Sequence, residues 1–550
     1  MDRIYLSKNF LLICTFLSFF SGHAKADCAA TTRRHLSARG DNSAQSWNES
    51  SWGTLEPSKE LRWVECYRDV GDFECTRLQV PLNYHESEGE TAAISLTRLA
   101  ANVSLDRSDY RGRILLNLGG PGHSGVDFIV GSAETLRATL GPEYDLIGFD
   151  PPGVQRSTPL IEFYESREER VLIMGSLAAQ RDKDKNILAH MNTDHFARDM
   201  LSIAEAHGRE KVQFWGLSYG SVLGYTFASM FPDKVERIVI DGIVDPEDYY
   251  RTQWFTATQD SDNTLRWFFE SCLEAGPESC AFHEDSVEAM GSKLNDIYAS
   301  LIKAPIPVQG VISNGLVDYT YLRGVLLVSL YHPGLFSQKL FKETPLFECD
   351  CDLSKYEFEH VHEGLMTYIC NDGDAVPPEF EAAQAHYEAS ADYSPLGSFF
   401  ASFRIACNGW SKDIPKAQFR GPIAGNTSFS SPIIGNTADP VTPLGAATNT
   451  SSTFPGSVVL TQDSPGHCSI NAPSVCTAKA IRAYFINGTL PEEGTVCPMD
   501  GSPFDPKEMD ETSGQTESKR DTSSEADGYL LEHLRRLARR EFATGFAPRV

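Results

Sequence analysis

The residues able to do chemistry fall into three short stretches. In the first, Gly216-Leu217-Ser218-Tyr219-Gly220 forms a G-x-S-x-G pattern. The apolar run Val212-Gln213-Phe214-Trp215 leads into it, and Val222, Leu223, Tyr225, Ala228 and Met230 follow at helical spacing. Strand, sharp turn and helix make a nucleophile elbow of this pattern. A serine on so tight a turn has strained backbone angles and close neighbours, so the residues two before and two after must be small. The turn aims the hydroxyl away from the sheet, at a helix N-terminus. There the helix dipole and the N–H of Tyr219 favour the negative charge of an acyl-transfer intermediate. The plain alternative is a G-x-S-x-G in an ordinary glycine-rich loop.

The second stretch, Leu118-Gly119-Gly120-Pro121-Gly122-His123-Ser124-Gly125, follows the strand pattern Arg113-Ile114-Leu115-Leu116-Asn117. So many glycines leave backbone N–H groups bare, and Gly120 is expected to be the second oxyanion donor beside Tyr219. His123 is expected to line the site rather than act as its base.

In the third, Asp439 follows the strand pattern Ser431-Pro432-Ile433-Ile434-Gly435, and His467 follows Ser457-Val458-Val459-Leu460. Alone, the first could be a turn aspartate and the second a surface histidine. Taken with Ser218 they give Ser, Asp, His, each after a predicted strand, which is the chain order of the α/β-hydrolase triad. Ser218 is then the nucleophile, His467 the base and Asp439 its orienting acid, with Asp245 the fallback acid. No metal-ligand spacing and no cofactor motif appears.

These residues need elements to hold them. Cys75 to Tyr84 and Ala92 to Ala100 alternate like antiparallel strands. Tyr144 to Asp150 and Val235 to Asp241 read as buried strands, and His195 to His207 as an amphipathic helix. Strands alternating with helices mean a mostly parallel sheet covered on both faces. From about Asp245 to Gly421 the alternation stops and helical patterns dominate, among them one through Val287, Met290, Leu294 and Leu301 and one over Tyr319 to Tyr331. This stretch reads as a helical cap inserted before the acid-bearing strand, with an independent second domain as the alternative.

The chain's 550 residues carry a formal charge of −27. That balance argues against nucleic acid and anionic membranes as partners. Arg3 and Lys8 precede an apolar run from Phe10 to Phe20, and Ala24-Lys25-Ala26 is a small-x-small cleavage site, so residues 1–26 read as a signal peptide, or else a signal anchor. A secreted or secretory-lumen protein is the expectation. Of thirteen cysteines, Cys14 lies in that segment. Local pairing is expected for Cys66–Cys75, Cys272–Cys280, Cys476–Cys497 and, less directly, Cys370–Cys407, while Cys28, Cys349, Cys351 and Cys468 cannot be assigned. Asn48, Asn102, Asn426, Asn449 and Asn487 each begin a glycosylation sequon.

Together Gly-Gly-Pro-Gly, the Gly-Leu-Ser-Tyr-Gly-Ser elbow, Asn436-Thr437-Ala438-Asp439-Pro440-Val441-Thr442-Pro443 and Gly466-His467-Cys468 resemble secreted tripeptidyl aminopeptidases, relatives of prolyl iminopeptidase within the α/β-hydrolases. The run from Cys476 to Cys497 is similar to that family's C-terminal segment. The resemblance spans roughly residues 61–500 and implies the same triad and backbone donors. Two departures lie near the pocket. Asp150-Pro151-Pro152-Gly153-Val154-Gln155-Arg156-Ser157 lacks an arginine and a glycine of the family's Asp-x-Arg-Gly-x-Gly-x-Ser, and His123 stands where a small residue is usual.

The expected organisation is a signal peptide (1–26), a polar N-terminal extension (27–60), a hydrolase core (61–244 and 422–500) interrupted by the cap (245–421), and an acidic, disordered tail (501–550) with a short basic helix that is expected to be frayed and dispensable for catalysis. Three functions compete. An aminopeptidase acting on free N-termini leads, an esterase, thioesterase or lactonase acting on a small metabolite follows, and a non-catalytic binding protein on a dead hydrolase comes last. The partner is a peptide or small ester. No membrane partner is expected after signal cleavage, and oligomeric state is not readable.

Overall fold

A computed structural model describes residues 49–104, 107–161, 185–309, 314–336, 361–394, 396–410, 419–504 and 525–539. The strands are β1 (Val64–Cys66), β2 (Phe73–Pro81), β3 (Thr91–Leu99), β4 (Gly112–Asn117), β5 (Tyr144–Asp150), β6 (Val212–Leu217), β7 (Val235–Asp241), β8 (Ile306–Gln309), β9 (Asn314–Val317), β10 (Pro432–Ala438), β11 (Val458–Pro465) and β12 (Val496–Pro498). Ten of them form one sheet in the order β1-β2-β3-β5-β4-β6-β7-β10-β11-β12, and β8 and β9 make a separate hairpin. The pairs from β1 through β3 to β5 are antiparallel, and every pair from β5–β4 to β11–β12 is parallel.

Both faces of the parallel half are apolar because successive side chains point to opposite sides. Leu115, Phe214, Ile238, Ile240 and Ile433 enter one core, where they meet helices α2 (Thr193–Ala206) and α3 (Tyr219–Met230). Their neighbours Ile114, Leu116, Trp215, Val239 and Ile434 enter the other core, under α1 (Gly125–Leu140).

Between β7 and β10 the chain leaves the sheet for α4 (Ser261–Ala275), α5 (Val287–Lys303), the β8–β9 hairpin, α6 (Tyr319–Tyr331), α7 (Val361–Asp372), α8 (Phe380–Tyr393) and α9 (Gly397–Ala406). Disulfides close this region at two places: Cys272–Cys280 just beyond α4, and Cys370–Cys407 joining α7 to α9. In the core Cys66–Cys75 joins β1 to β2. Cys476–Cys497 joins β12 to α11 (Val475–Asn487), which follows α10 (Leu444–Thr453). All four pairs are those expected from spacing. Cys468 is a buried free thiol, and Cys28, Cys349 and Cys351 lie outside the described residues. No helix among the described residues is long and apolar enough to cross a membrane.

The basic helix expected near the C-terminus forms as α12 (Glu525–Ala538). It lies against α1 and α11 and against the turn Ser469–Asn471 that follows His467. Leu530, Leu534 and Leu537 are buried, and Lys479 pairs with Asp527 at 2.7 Å. Leu537→Ala is therefore expected to cost about 2–5 kcal/mol in urea unfolding, the usual range for a buried leucine. A loss near zero would show the helix to be frayed in solution.

On the far side of the sheet the buried Asp199 of α2 accepts a hydrogen bond from the hydroxyl of Tyr84 at 2.6 Å, tying α2 to the loop after β2. Burial pushes its carboxyl up to about 8, against the Tyr84 bond that pulls it down. A carboxyl raised in the fold is neutral there at pH values where the unfolded chain has lost the proton. Its contribution to stability is full below the unfolded value near 4 and is lost as pH rises through the folded value. Asp199→Asn keeps the acceptor for Tyr84. Its stability relative to wild type should rise progressively from pH 4 to pH 8 in denaturant titrations, and a pH-independent difference would contradict this.

Candidate active site

Ser218 sits between the end of β6 and the first residue of α3 with φ 58° and ψ −120°, a left-handed conformation that a non-glycine residue holds only when its surroundings enforce it. The enforcement is visible on both sides. The Ser218 N–H donates to the Asp241 carbonyl at 2.9 Å, and its own carbonyl accepts from the Ser221 N–H at 2.7 Å and the Ser221 hydroxyl at 2.6 Å. The flanking glycines are required by close approach: a β-carbon on Gly216 would lie 2.2 Å from the Gly220 carbonyl oxygen. This is the turn the G-x-S-x-G spacing predicts.

The glycine loop after β4 lies directly over the elbow. A β-carbon on Gly119, whose φ is +104°, would sit 2.5 Å from the Leu217 carbonyl oxygen and 2.8 Å from the Tyr219 nitrogen. Tyr219 is the first residue of α3, where an N–H has no partner within the helix. Gly119 is thus the residue of this loop that meets the elbow, and Gly120, the expected donor, is the next residue along. The loop also carries the cap, since a β-carbon on Gly122 would fall 2.6 Å from the Val361 carbonyl oxygen in the first turn of α7. Glu363 in that turn is fully buried.

Asp439 ends up just beyond β10 and His467 just beyond β11, two adjacent parallel strands. Nδ1 of His467 lies 3.1 Å from both carboxylate oxygens of Asp439. The carboxylate also accepts from the N–H of Val441 at 2.9 Å, the N–H of Thr442 at 2.8 Å, the hydroxyl of Thr442 at 2.6 Å and the N–H of Cys468 at 2.8 Å. Burial pushes this carboxyl up, but the facing His467 and these donors outweigh it and hold it below the ordinary carboxylate value. Asp439 is an anion at neutral pH, as an orienting acid must be.

Several partners escaped the sequence reading. The Thr442 hydroxyl lies 3.1 Å from His467 Nδ1 and bridges acid and base. Its signal was the Asp-Pro-x-Thr spacing of a side-chain-capped turn. Tyr331, at the end of α6, sets its ring edge-on to the His467 ring with centroids 4.7 Å apart, and its carbonyl accepts the His467 N–H at 3.0 Å. Nothing local to Tyr331 announces that contact. Cys468 Sγ lies 3.7 Å from His467 Nε2, and burial and the charges of Asp241 and Asp439 raise its thiol well above the usual range. Among the described residues, Asp439, His467 and Cys468 are also the one group close enough to share a metal ion, and an ion there would take the atoms that join acid to base.

Other expectations resolve differently. Asp245 caps a short helix by accepting from the N–H groups of Glu247 and Asp248, so His467 has Asp439 rather than Asp245 as its carboxylate. The segment that departs from the family pattern carries an arginine at another of its positions: Arg156 reaches Asp127 at 2.8 Å, the Ser124 hydroxyl at 3.1 Å and Asp150 at 3.9 Å. His123 stands beside the base, where burial and then the charge of His467 lower it to about 4 and keep it neutral.

The segment 112–281 matches the model of the alpha/beta hydrolase fold, and 393–497 matches that of the TAP-like protein. The chain is 25% identical to serine protease Hip1 of Mycobacterium tuberculosis over 80% of its length and 91% of the relative's. A tripeptidyl aminopeptidase of Streptomyces coelicolor is 30% identical over 40% of this chain and 46% of its own. Carboxylesterase B of Mycobacterium tuberculosis is 24% identical over 79% and 89%. A proline iminopeptidase structure from Mycobacterium smegmatis aligns with 75% of this chain and 96% of its own at 12% identity and a TM-score of 0.34. With an elbow at the end of β6 and an Asp–His pair just beyond β10 and β11, the chain is a serine hydrolase of the α/β-hydrolase fold whose segment 393–497 is TAP-like.

Proposed function

We propose that the protein is a secreted aminopeptidase that cleaves short peptides from free N-termini through an acyl-enzyme on Ser218. The carrying observation is the Asp439–His467 pair, held by Thr442 on strand ends beside the elbow. In this reading Ser218 Oγ attacks the scissile carbonyl carbon as His467 takes its proton. The oxyanion is held by the N–H groups of Tyr219 and Gly120. Collapse breaks the C–N bond, His467 protonates the departing amine, and water then releases the acyl group by the same route. Residues 1–26 act as the signal, residues 245–421 as the cap over the cleft, and the sequons as glycosylation sites. The four disulfides agree with an oxidising compartment.

An exopeptidase must recognise a charged amino terminus, and a desolvated ammonium needs a close counter-charge. Of the cap carboxylates, Glu270 pairs with Arg266 on the surface, Asp374 is mostly exposed beside Arg420, and Glu379 and Glu381 are exposed. Asp372 is buried but engaged: it accepts from the N–H and hydroxyl of Thr193 and from the hydroxyl of Tyr249. Glu363 is fully buried in the helical turn that presses on Gly122, and it too is engaged within the protein.

The esterase reading keeps one specific support, the relative named carboxylesterase B, and shares the same catalytic residues.

Ser218→Ala should lower kcat by on the order of 10^4 or more while the melting curve stays in place, and a chelator should change nothing. An undiminished mutant rate would remove the mechanism. For a matched pair of free and N-acetylated peptides, kcat/KM should favour the free peptide by roughly 30- to 1,000-fold, the loss of a buried charge pair. Equal values for the two peptides in wild type would exclude the aminopeptidase, and turnover of simple esters without peptides would promote the esterase.

A further inference from the structure

We infer that Asp241, the last residue of β7, is a positioning residue for the reaction, registering the loop that carries the base against the backbone of the nucleophile. The inference rests on the roles proposed above for Ser218 and His467.

Asp241 is fully buried. Its position in the sheet is fixed from both sides, paired with Leu217 of β6 and with Ile434 of β10. Its backbone carbonyl accepts the N–H of Ser218 at 2.9 Å. The same oxygen lies 3.5 Å from the Cys468 sulfur. Its carboxylate takes the residue after that cysteine with both oxygens: Oδ1 accepts the Ser469 N–H at 2.9 Å and Oδ2 the Ser469 hydroxyl at 2.6 Å. One residue therefore holds the elbow with its main chain and the base loop with its side chain.

The loop needs such a hold. Cys468 has φ 60°, a strained angle for a non-glycine residue, so the segment 467–469 must be gripped on both sides of the kink. Asp439 grips the first side through the Cys468 N–H, and Asp241 grips the second through Ser469. The thiol fills the gap between them closely, because a β-carbon on Gly242 would stand 2.3 Å from the Cys468 sulfur. Two buried carboxylates on neighbouring strand ends thus fix three successive residues, the first of which is His467. Asp241 itself stays one step behind the chemistry, since the His467 ring nitrogen faces Asp439 and not Asp241.

A merely structural Asp241 and a positioning one separate when turnover is counted per competent site. A fluorophosphonate titration gives the number of reactive serines, and p-nitrophenyl acetate, which needs no ammonium recognition, gives kcat and KM. Asp241→Asn keeps the shape and one acceptor oxygen but loses the charge and the second acceptor, so the Ser469 hydroxyl must turn from donor to acceptor. We expect its kcat per titrated site to fall about 10- to 100-fold, with KM within about twofold, as for a base displaced by a fraction of an ångström to an ångström. Ser469→Ala should fall about fivefold, and the double variant should be no worse than Asp241→Asn alone. A structural role would reduce the number of titratable sites and leave kcat per site at the wild-type value, and that result overturns the inference. Should Asp241→Asn fail to fold, Ser469→Ala decides by the same criterion. Ser218→Ala in the same assay tests the underlying reading: a variant that retains turnover sinks that reading first, whereas an inactive Ser218→Ala with a fully active Asp241→Asn sinks only the inference.

Discussion

A buried, ionised carboxylate is the constraint around which the catalytic end of this protein is built. Asp439 has no exposure to solvent, and an isolated carboxylate in such a place would take up a proton rather than stay charged. It stays charged because His467 and four further donors meet it, all from residues 441–442 and 467–468. That requirement explains two pieces of local structure at once. The chain must turn tightly after Asp439 to return the N–H groups of Val441 and Thr442, and the loop after β11 kinks at Cys468, whose N–H meets the same carboxylate oxygen that lies 3.1 Å from the ring. Both turns are irregular, and neither would hold its shape without the charge at its centre.

The elbow follows a different logic, that of steric exclusion. A side chain on Gly216 would strike the Gly220 carbonyl and one on Gly220 the Asn117 carbonyl, and the strain at Ser218 is held by bonds from its neighbours rather than by its own preference. The sheet ties the two logics together. β6, β7, β10 and β11 are consecutive parallel neighbours, so their carboxyl ends lie side by side, and residues from distant parts of the chain arrive at one edge without any direct link between them.

This division accounts for what could be read in the sequence and what could not. The sharp turn at Ser218 and the strand ends that bring Asp439 to His467 were legible because strand periodicity, glycine spacing and chain order are local signals, and the strand Tyr144–Asp150 and the helix Tyr319–Tyr331 appear with the bounds that their patterns gave. The four disulfides were legible because three of them close short loops. Tyr331, Asp241 and Arg156 were not, because each acts through a contact with a residue far away in sequence or through a chain reversal with no periodicity. Arg156 is the clearest case: it does not stand at the motif's arginine position, yet its guanidinium reaches Ser124 and Asp127. The composition of residues 501–550 reads as a tail without a core, whereas the leucines of α12 find one by docking on α1, a contact that hydrophobic spacing alone could not locate.

The base loop therefore depends on parts of the chain that are not catalytic. From the cap, the Tyr331 carbonyl accepts the His467 N–H, and His332 Nδ1 lies 2.7 Å from the side-chain oxygen of Asn471, whose amide in turn donates to the His467 carbonyl. From the C-terminus, α12 packs against the turn Ser469–Asn471, and the Ala538 carbonyl lies close beside Gly334 of the same cap segment. From the sheet, Asp241 and Asp439 hold residues 467–469. A loop with little regular structure of its own is thus fixed by a cap, a terminal helix and two strand ends together. Because the cap is among those supports, the end of α6 cannot be displaced without breaking the backbone bond at His467. The segment between β7 and β10 and the loop that carries His467 are thus joined by both backbone and side-chain bonds.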